Sequence, residues 1–105
     1  GNLVWTAGMA ANDAETGDLL YLDDISKQTT KTLENLQATL EAAGTSLANA
    51  VRVGAFIHDI DEWPIFNEAY KAFFPNDPPA RTTIAVGGLP KGMCVEIDVV
   101  AVMPD

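Results

Sequence analysis

Arg81 and Glu96 are the residues of this 105-residue chain best placed to do chemistry. Arg81 stands in PPARTTIAV, after two prolines that restrict the backbone and before a largely β-branched apolar run. A guanidinium stays charged at any physiological pH and can grip a carboxylate through two parallel hydrogen bonds. From sequence two readings stay open: a fixed anion anchor, or a strand-edge cation in a weak surface ion pair. Glu96 lies in CVEIDVV, among β-branched neighbours, where a carboxylate is placed to take or release a proton. Asp98 shares its face by period-two alternation, and the plainer reading of the two acids is the wet face of a strand. Asn67, inside the aromatic run WPIFNEAYKAFF, offers an amide to a ligand or to solvent.

Other chemistries find little support. The single histidine, His58, cannot build a metal site unaided, and the single cysteine, Cys94, permits neither an intramolecular disulfide nor a Cys-cluster metal site. Cys94 has no basic neighbour and reads as a buried apolar thiol. No P-loop or dinucleotide fingerprint is present, and no Ser/His/Asp grouping is suggested. The expectation is therefore no metal and no organic cofactor. Fifteen acidic residues against six basic ones give a net charge of −9, which argues against a nucleic-acid surface. No apolar run approaches the roughly 20 residues that span a bilayer. No signal peptide is visible, and with its cysteine usage the chain fits a reducing, cytoplasmic compartment best.

The elements that must position these residues are legible as periodicities. LVWTA, residues 3–7, reads as a short strand closed by Gly8, and LLYL as a second short extended piece. Ile25, Thr29, Thr32, Leu33, Leu36, Leu40 and Ala43 recur at spacings of three and four, which predicts a long helix. Asp23 or Asp24 is its cap and Gly44 its end. NAVRVGAFIHDI reads as a strand with Val51, Val53, Ala55 and Ile57 on one face; Gly54 marks a close backbone approach. DEWPIFNEAYKAFFP reads as a second helix, capped by Asp61, with Phe66, Tyr70 and Phe73 on one face and Ile65, Ala69 and Phe74 widening it. The aromatic residues read mainly as core, with Trp5 also a candidate pocket wall. Arg81 to Val86 and Met93 to Met103 are the last two strands, joined by GGLPKG, which by itself invites a hairpin. The order predicts a single α+β domain over residues 1–105, a mixed sheet with both helices on one face. The last strand is apolar on one face and partly apolar on the other, which argues for an oligomer.

Together these motifs resemble the RidA/YjgF family of small trimeric imine deaminases. The best match is PPARTTIAVGGLPKGMCVEIDVVAV, supported by VWTAGMA, by QTTKTLENLQATLEAAGTSLANAVRVGAFIHDI and by FNEAYKAFFP. The resemblance runs nearly end to end. It implies a chorismate-mutase-like fold with the last strand between the first two, so that the last two strands form no hairpin. It implies a homotrimer with its pockets in the clefts between subunits. It implies hydrolytic deamination of reactive 2-imino or enamine acids to 2-keto acid and ammonia. By the same resemblance Arg81 binds the substrate carboxylate, Glu96 positions or activates water, and Asn67, Thr83, Ala7 and Gly8 line the pocket. Three departures stand out. Ala7-Gly8-Met9 replaces the family's common Ser-Gly-Gln, removing a hydroxyl and an amide; Thr83 replaces a frequent cysteine; and the N-terminal segment that carries a pocket tyrosine is expected to be missing. Two other functions are carried forward, a non-catalytic trimer that binds metabolites and an endoribonuclease or translation inhibitor, the latter opposed by the acidic charge.

Overall fold

A computed structural model describes all 105 residues. The order is β1 (Leu3–Trp5), α1 (Ile25–Ala42), β2 (Ala50–Ile57), α2 (Trp63–Lys71), β3 (Ala80–Ala85) and β4 (Val95–Val102). The strands form one mixed sheet in the order β1-β4-β2-β3. β4 runs antiparallel to both β1 and β2, and β3 runs parallel to β2. GGLPKG is therefore not a hairpin turn: β4 lies between β1 and β2, as the family resemblance implies.

Both helices cover one face of this sheet, so the α+β expectation holds. The apolar stripe of α1 buries Ile25, Leu33, Leu36 and Leu40. Opposite them lie Val53, Ala55 and Ile57 of β2 and Val95, Ile97, Val99 and Ala101 of β4, all buried. Each of the fully buried Val, Leu and Ile side chains contributes about 1.5–3 kcal/mol. Asp24, rather than Asp23, caps α1 by accepting the backbone N–H of Lys27 at 3.0 Å. Gln28, which the apolar stripe passes over, is fully buried in α1. Its Nε2 donates to the carbonyls of Leu20, Tyr21 and Gly92, and its Oε1 accepts from the N–H of Cys94. One amide thus ties the loop before α1 to the loop before β4.

Several local expectations change. LLYL forms no strand: Leu19 makes a single bridge with Asn12, and Tyr21 and Asp23 take positive φ. Val51 is exposed, because the β2–β4 register slips between Ala50 and Arg52 and the alternation restarts at Val53. Ile65 and Ala43 are also exposed, lying just off the buried stripes of their helices. The Asp59 carboxylate, not Asp61, accepts the free N–H ahead of α2, through the N–H of Asp61 itself. Trp5 is not core; it projects, 75% exposed, from the face opposite the helices.

Candidate functional site

Helical spacing builds the surroundings of Arg81. Trp63, Phe66, Asn67 and Tyr70 fall at i, i+3, i+4 and i+7 of α2 and so share one side of it. Arg81 pairs with Val53 across the β2–β3 ladder, on the helix-covered face, and so reaches under α2. Its Nη1 donates to Asn67 Oδ1 at 2.9 Å. Its guanidinium carbon lies 4.5 Å from the Tyr70 ring centroid, 5.2 Å from Trp63 and 5.6 Å from Phe66. Such contacts contribute about 0.5–2 kcal/mol each, more as water is excluded. The only ion pairs in the chain are His58 with Glu62 and Lys71 with Glu68, so Arg81 has no acid of its own. A half-buried guanidinium that is oriented but unpaired is not the surface ion pair of the plainer reading. Thr83, two residues on and on the same face, has a buried hydroxyl without a partner. A cleft of about 350 Å³ opens here, lined by Arg81, Asn67, Tyr70, Lys71, Phe74, Pro78 and Pro79.

Glu96 occupies the opposite face. It pairs with Phe56 of β2, and its neighbours Val95 and Ile97 point into the core. The chain after β1 arches over it. From Trp5 to Met9 is one residue more than the matching stretch from Val100 back to Ile97, which makes a bulge. Thr6 sits at it: its Oγ1 accepts the N–H of Val99, taking the place of a ladder carbonyl. Met9 and Ile97 then exchange both of their backbone hydrogen bonds. Gly8 is left above Glu96, next to Ala7 in the chain, and both are exposed. A Cβ on Gly8 would fall 2.5 Å from Glu96 Oε2, so the carboxylate lies against bare backbone. Asn35 of α1 fixes the following segment by donating to the carbonyls of Ala10 and Asn12. Met9 does not replace a pocket amide; its sulfur accepts from the Thr39 hydroxyl, and it packs against the core.

The chain therefore gathers the sequence candidates into two groups. Arg81, Asn67 and Thr83 lie on the helix side, at the β3 edge; Glu96, Ala7 and Gly8 lie on the open side, nearer the β1 edge. Two strand spacings, about 10 Å, and the thickness of the sheet separate them. Asp98 also faces the open side, against Gly54, where a Cβ would sit 2.5 Å from Oδ1. A larger cleft of about 490 Å³ lies between residues 46–50 and 73–79, but Asp77 is the only charged group lining it. Of its two amides, Gln37 and Asn76, Gln37 is already bonded to Leu47 N–H and to Glu41. His58 is held by Glu62. Cys94 is fully buried, and burial, with Glu62, Asp23 and Asp24 nearby, pushes its thiol up to about 11. It is protonated at neutral pH and is no nucleophile. No three His, Cys, Asp or Glu side chains converge as a metal cage. Sequence reading treats Trp63 and Tyr70 only as core; their i, i+7 spacing around Asn67 is the pattern that marks them as the walls around Arg81.

Two helices on one face of a β1-β4-β2-β3 sheet, with an unpaired arginine at the β3 edge, define the chorismate-mutase-like α+β class. Within it, the Endoribonuclease L-PSP family model matches residues 1–103, and the chain belongs to that family, the RidA/YjgF family. A RutC family protein of Pyrococcus abyssi is 37% identical over 101 residues, covering 96% of this chain and 79% of the relative. The 2-iminobutanoate/2-iminopropanoate deaminase of Salmonella typhimurium is 35% identical over 105 residues, covering 97% of this chain and 80% of its own. Among solved structures, Escherichia coli TdcF with bound serine superposes with a TM-score of 0.89 at 33% identity, covering 99% of this chain and 83% of TdcF. The YjgF gene product of Escherichia coli also gives 0.89, at 32% identity, covering 99% of this chain and 83% of its own.

Proposed function

We propose that this chain hydrolyses small 2-imino acids and their enamine tautomers to 2-keto acids and ammonia. The observation that carries this reading is Arg81: charged, half-buried, fixed by Asn67 and three aromatic rings, and lacking an acid. A guanidinium so placed is preorganised for a carboxylate, and holding the carboxylate fixes the adjacent imine carbon. The deaminase among the relatives and the serine bound to TdcF support a carboxylate-bearing substrate.

In the reaction, water attacks the C=N carbon while Glu96 takes one of its protons. Glu96 passes that proton to the imine nitrogen, so the tetrahedral carbon holds hydroxyl and amine. Glu96 then takes the hydroxyl proton and delivers it to the amine nitrogen, the C–N bond breaks, and ammonia leaves as the C=O forms. The imine and one water become the keto acid and one ammonia, with no oxidant or reductant. Because Arg81 and Glu96 face opposite sides of one sheet, the site needs Arg81 of one protomer and Glu96 of another. The open face suits such an assembly: Leu3, Trp5 and Ile84 are exposed on it, 48%, 75% and 46% respectively. A trimer with sites between its subunits is the arrangement we favour. No helix is long and apolar enough to cross a membrane, and a cytoplasmic enzyme is the reading we adopt.

The test generates an imino acid in situ with an amino-acid oxidase and traps what survives with semicarbazide. Wild type is expected to lower the trapped imine, and Arg81→Ala and Glu96→Gln each to abolish the effect. No acceleration by folded wild type, together with binding of 2-ketobutyrate, would replace the enzyme by a metabolite-binding protein. That second reading draws on Met9, whose side chain is occupied by Thr39 and the core rather than facing a ligand.

A further inference from the structure

The cleft beside Arg81 has an unusual balance of groups for so acidic a chain. Two of the six basic residues, Arg81 and Lys71, line it, and none of the fifteen acidic residues does. Its accessible polar groups are mainly hydrogen-bond donors, those of Arg81, Lys71 and the Asn67 amide. Arg81 uses one N–H on Asn67 Oδ1, which leaves four, and leaves the Asn67 amide N–H₂ free. The Tyr70 hydroxyl is buried without a partner. Burial, only partly offset by Arg81, pushes its pKa up to about 12, so it keeps its proton. Lys71 is the last residue of α2, and its ammonium meets Glu68 at 2.9 Å. Both of those side chains are largely exposed, 60% and 73%, and such a pair exchanges readily for a better partner. Phe74 and Pro79 complete the wall. One cation without an acid, Arg81, and a second, Lys71, held only by an exposed pair suit a ligand with two anionic ends.

We propose that Lys71 is a specificity-determining residue: Arg81 takes the carboxylate next to the imine carbon, Lys71 takes a second carboxylate at the far end, and the favoured substrates are imines of acidic amino acids. This rests on the reading of Arg81 as the carboxylate anchor. The planar fork of Arg81 favours a carboxylate there, and the ammonium of Lys71, a mobile point charge on a long stem, accommodates a second one at variable distance.

Oxaloacetate and 2-ketobutyrate test this directly, because they share a four-carbon 2-keto skeleton and differ only in a terminal carboxylate or methyl. Both are titrated calorimetrically into wild type and Lys71→Ala at fixed ionic strength, with inorganic phosphate as a third probe. Wild type is expected to bind oxaloacetate about tenfold more tightly than 2-ketobutyrate, equivalent to about 1.4 kcal/mol, despite the repulsion of a net −9 chain. Lys71→Ala is expected to weaken oxaloacetate about tenfold more than 2-ketobutyrate, bringing the ratio close to one. Phosphate is expected to bind far more weakly than oxaloacetate. A wild-type ratio near one, or a ratio that Lys71→Ala leaves intact, overturns the role of Lys71 while the Arg81 reading stands. Phosphate matching oxaloacetate overturns the dicarboxylate assignment in favour of any dianion. Failure of folded wild type to bind either keto acid removes the Arg81 reading and this one together. Lys71 is exposed, so its replacement leaves the fold in place.

Discussion

The two sides of the sheet hold their candidate residues by different means. Arg81, beneath α2, is fixed within its own chain by the Asn67 bond and by the rings of Tyr70, Trp63 and Phe66. Glu96, on the open side, makes no ion pair, and the nearest structure over it is the bare backbone of Gly8. A cation partly removed from water needs such internal support, since desolvation without compensation is expensive. A carboxylate at an uncovered face keeps its water and needs none. The difference teaches that the half we propose to hold the anion is a property of one folded chain. The proton-handling half, on our proposal, is completed only when another copy covers the open face.

The sharpest way to break this contrast is Arg81→Lys. Charge survives, but the two-pronged geometry and the ring stacking are lost. Affinity for 2-ketobutyrate is expected to fall about a hundredfold, roughly 3 kcal/mol, which fits a charged hydrogen-bonded contact. Calorimetry reading a loss of threefold or less would remove Arg81 from the anchor role. On the other side, Gly8→Ala places a Cβ 2.5 Å from Glu96 Oε2. The obstructed atom is the end of a flexible side chain, so the melting temperature is expected to change little, by less than about 1 kcal/mol in stability. Imine turnover is expected to fall tenfold or more, because small misplacements at a reacting centre are costly. Gly54→Ala crowds Asp98 to the same degree. It is the control: equal losses of turnover from both variants would mean that the open face is merely being distorted. Trp5→Asp addresses the cover itself. Sedimentation is expected to read a small oligomer for wild type and the 11.2 kDa monomer for the variant. A wild type that is already monomeric would leave Glu96 without a partner side.

How far these halves can be read in sequence depends on what positions each residue. The helix side is legible, since the stripes of α1 and α2 are periodic and the core they imply, from Leu33 to Phe66, is the observed one. The Gly54 approach is also legible, because glycine inside a strand asks for a reason. The place of β4 is not: GGLPKG resembles a turn, and only the family resemblance puts β4 between β1 and β2. Gln28 is invisible to a hydrophobic pattern, although it holds two loops together through four hydrogen bonds. At the bulge before Ala7 and Gly8 one hydroxyl, Thr6, substitutes for a carbonyl, which no propensity encodes. Val51 shows the same limit, since a register slip moves a residue to the other face without altering the alternation of types. The separation of Arg81 from Glu96 is set by strand register and order together, and sequence spacing alone gives neither.

The effect that is absent at neutral pH is a pH dependence confined to the helix side. Cys94 is raised by burial, and then by Glu62, Asp23 and Asp24, to about 11; Tyr70 is raised by burial, against the pull of Arg81, to about 12. In the unfolded chain these groups return to their ordinary values of 9.0 and 10.0. The folded state therefore holds each proton more tightly. Well below pH 9 both groups are protonated in both states and stability is independent of them. As pH rises the unfolded chain loses its protons first, so stability falls from about pH 9 to 11 through Cys94 and from about pH 10 to 12 through Tyr70. Urea midpoints measured from pH 8 to 11.5 are expected to decline accordingly. Cys94→Ala should flatten the lower part of that decline and Tyr70→Phe the upper part. Tyr70→Phe also removes a buried hydroxyl with no partner, so it is expected to be at least as stable as wild type at pH 8. A variant that is less stable there would mean that the hydroxyl has a partner in solution, and that the donor set around Arg81 is already partly satisfied before any ligand arrives.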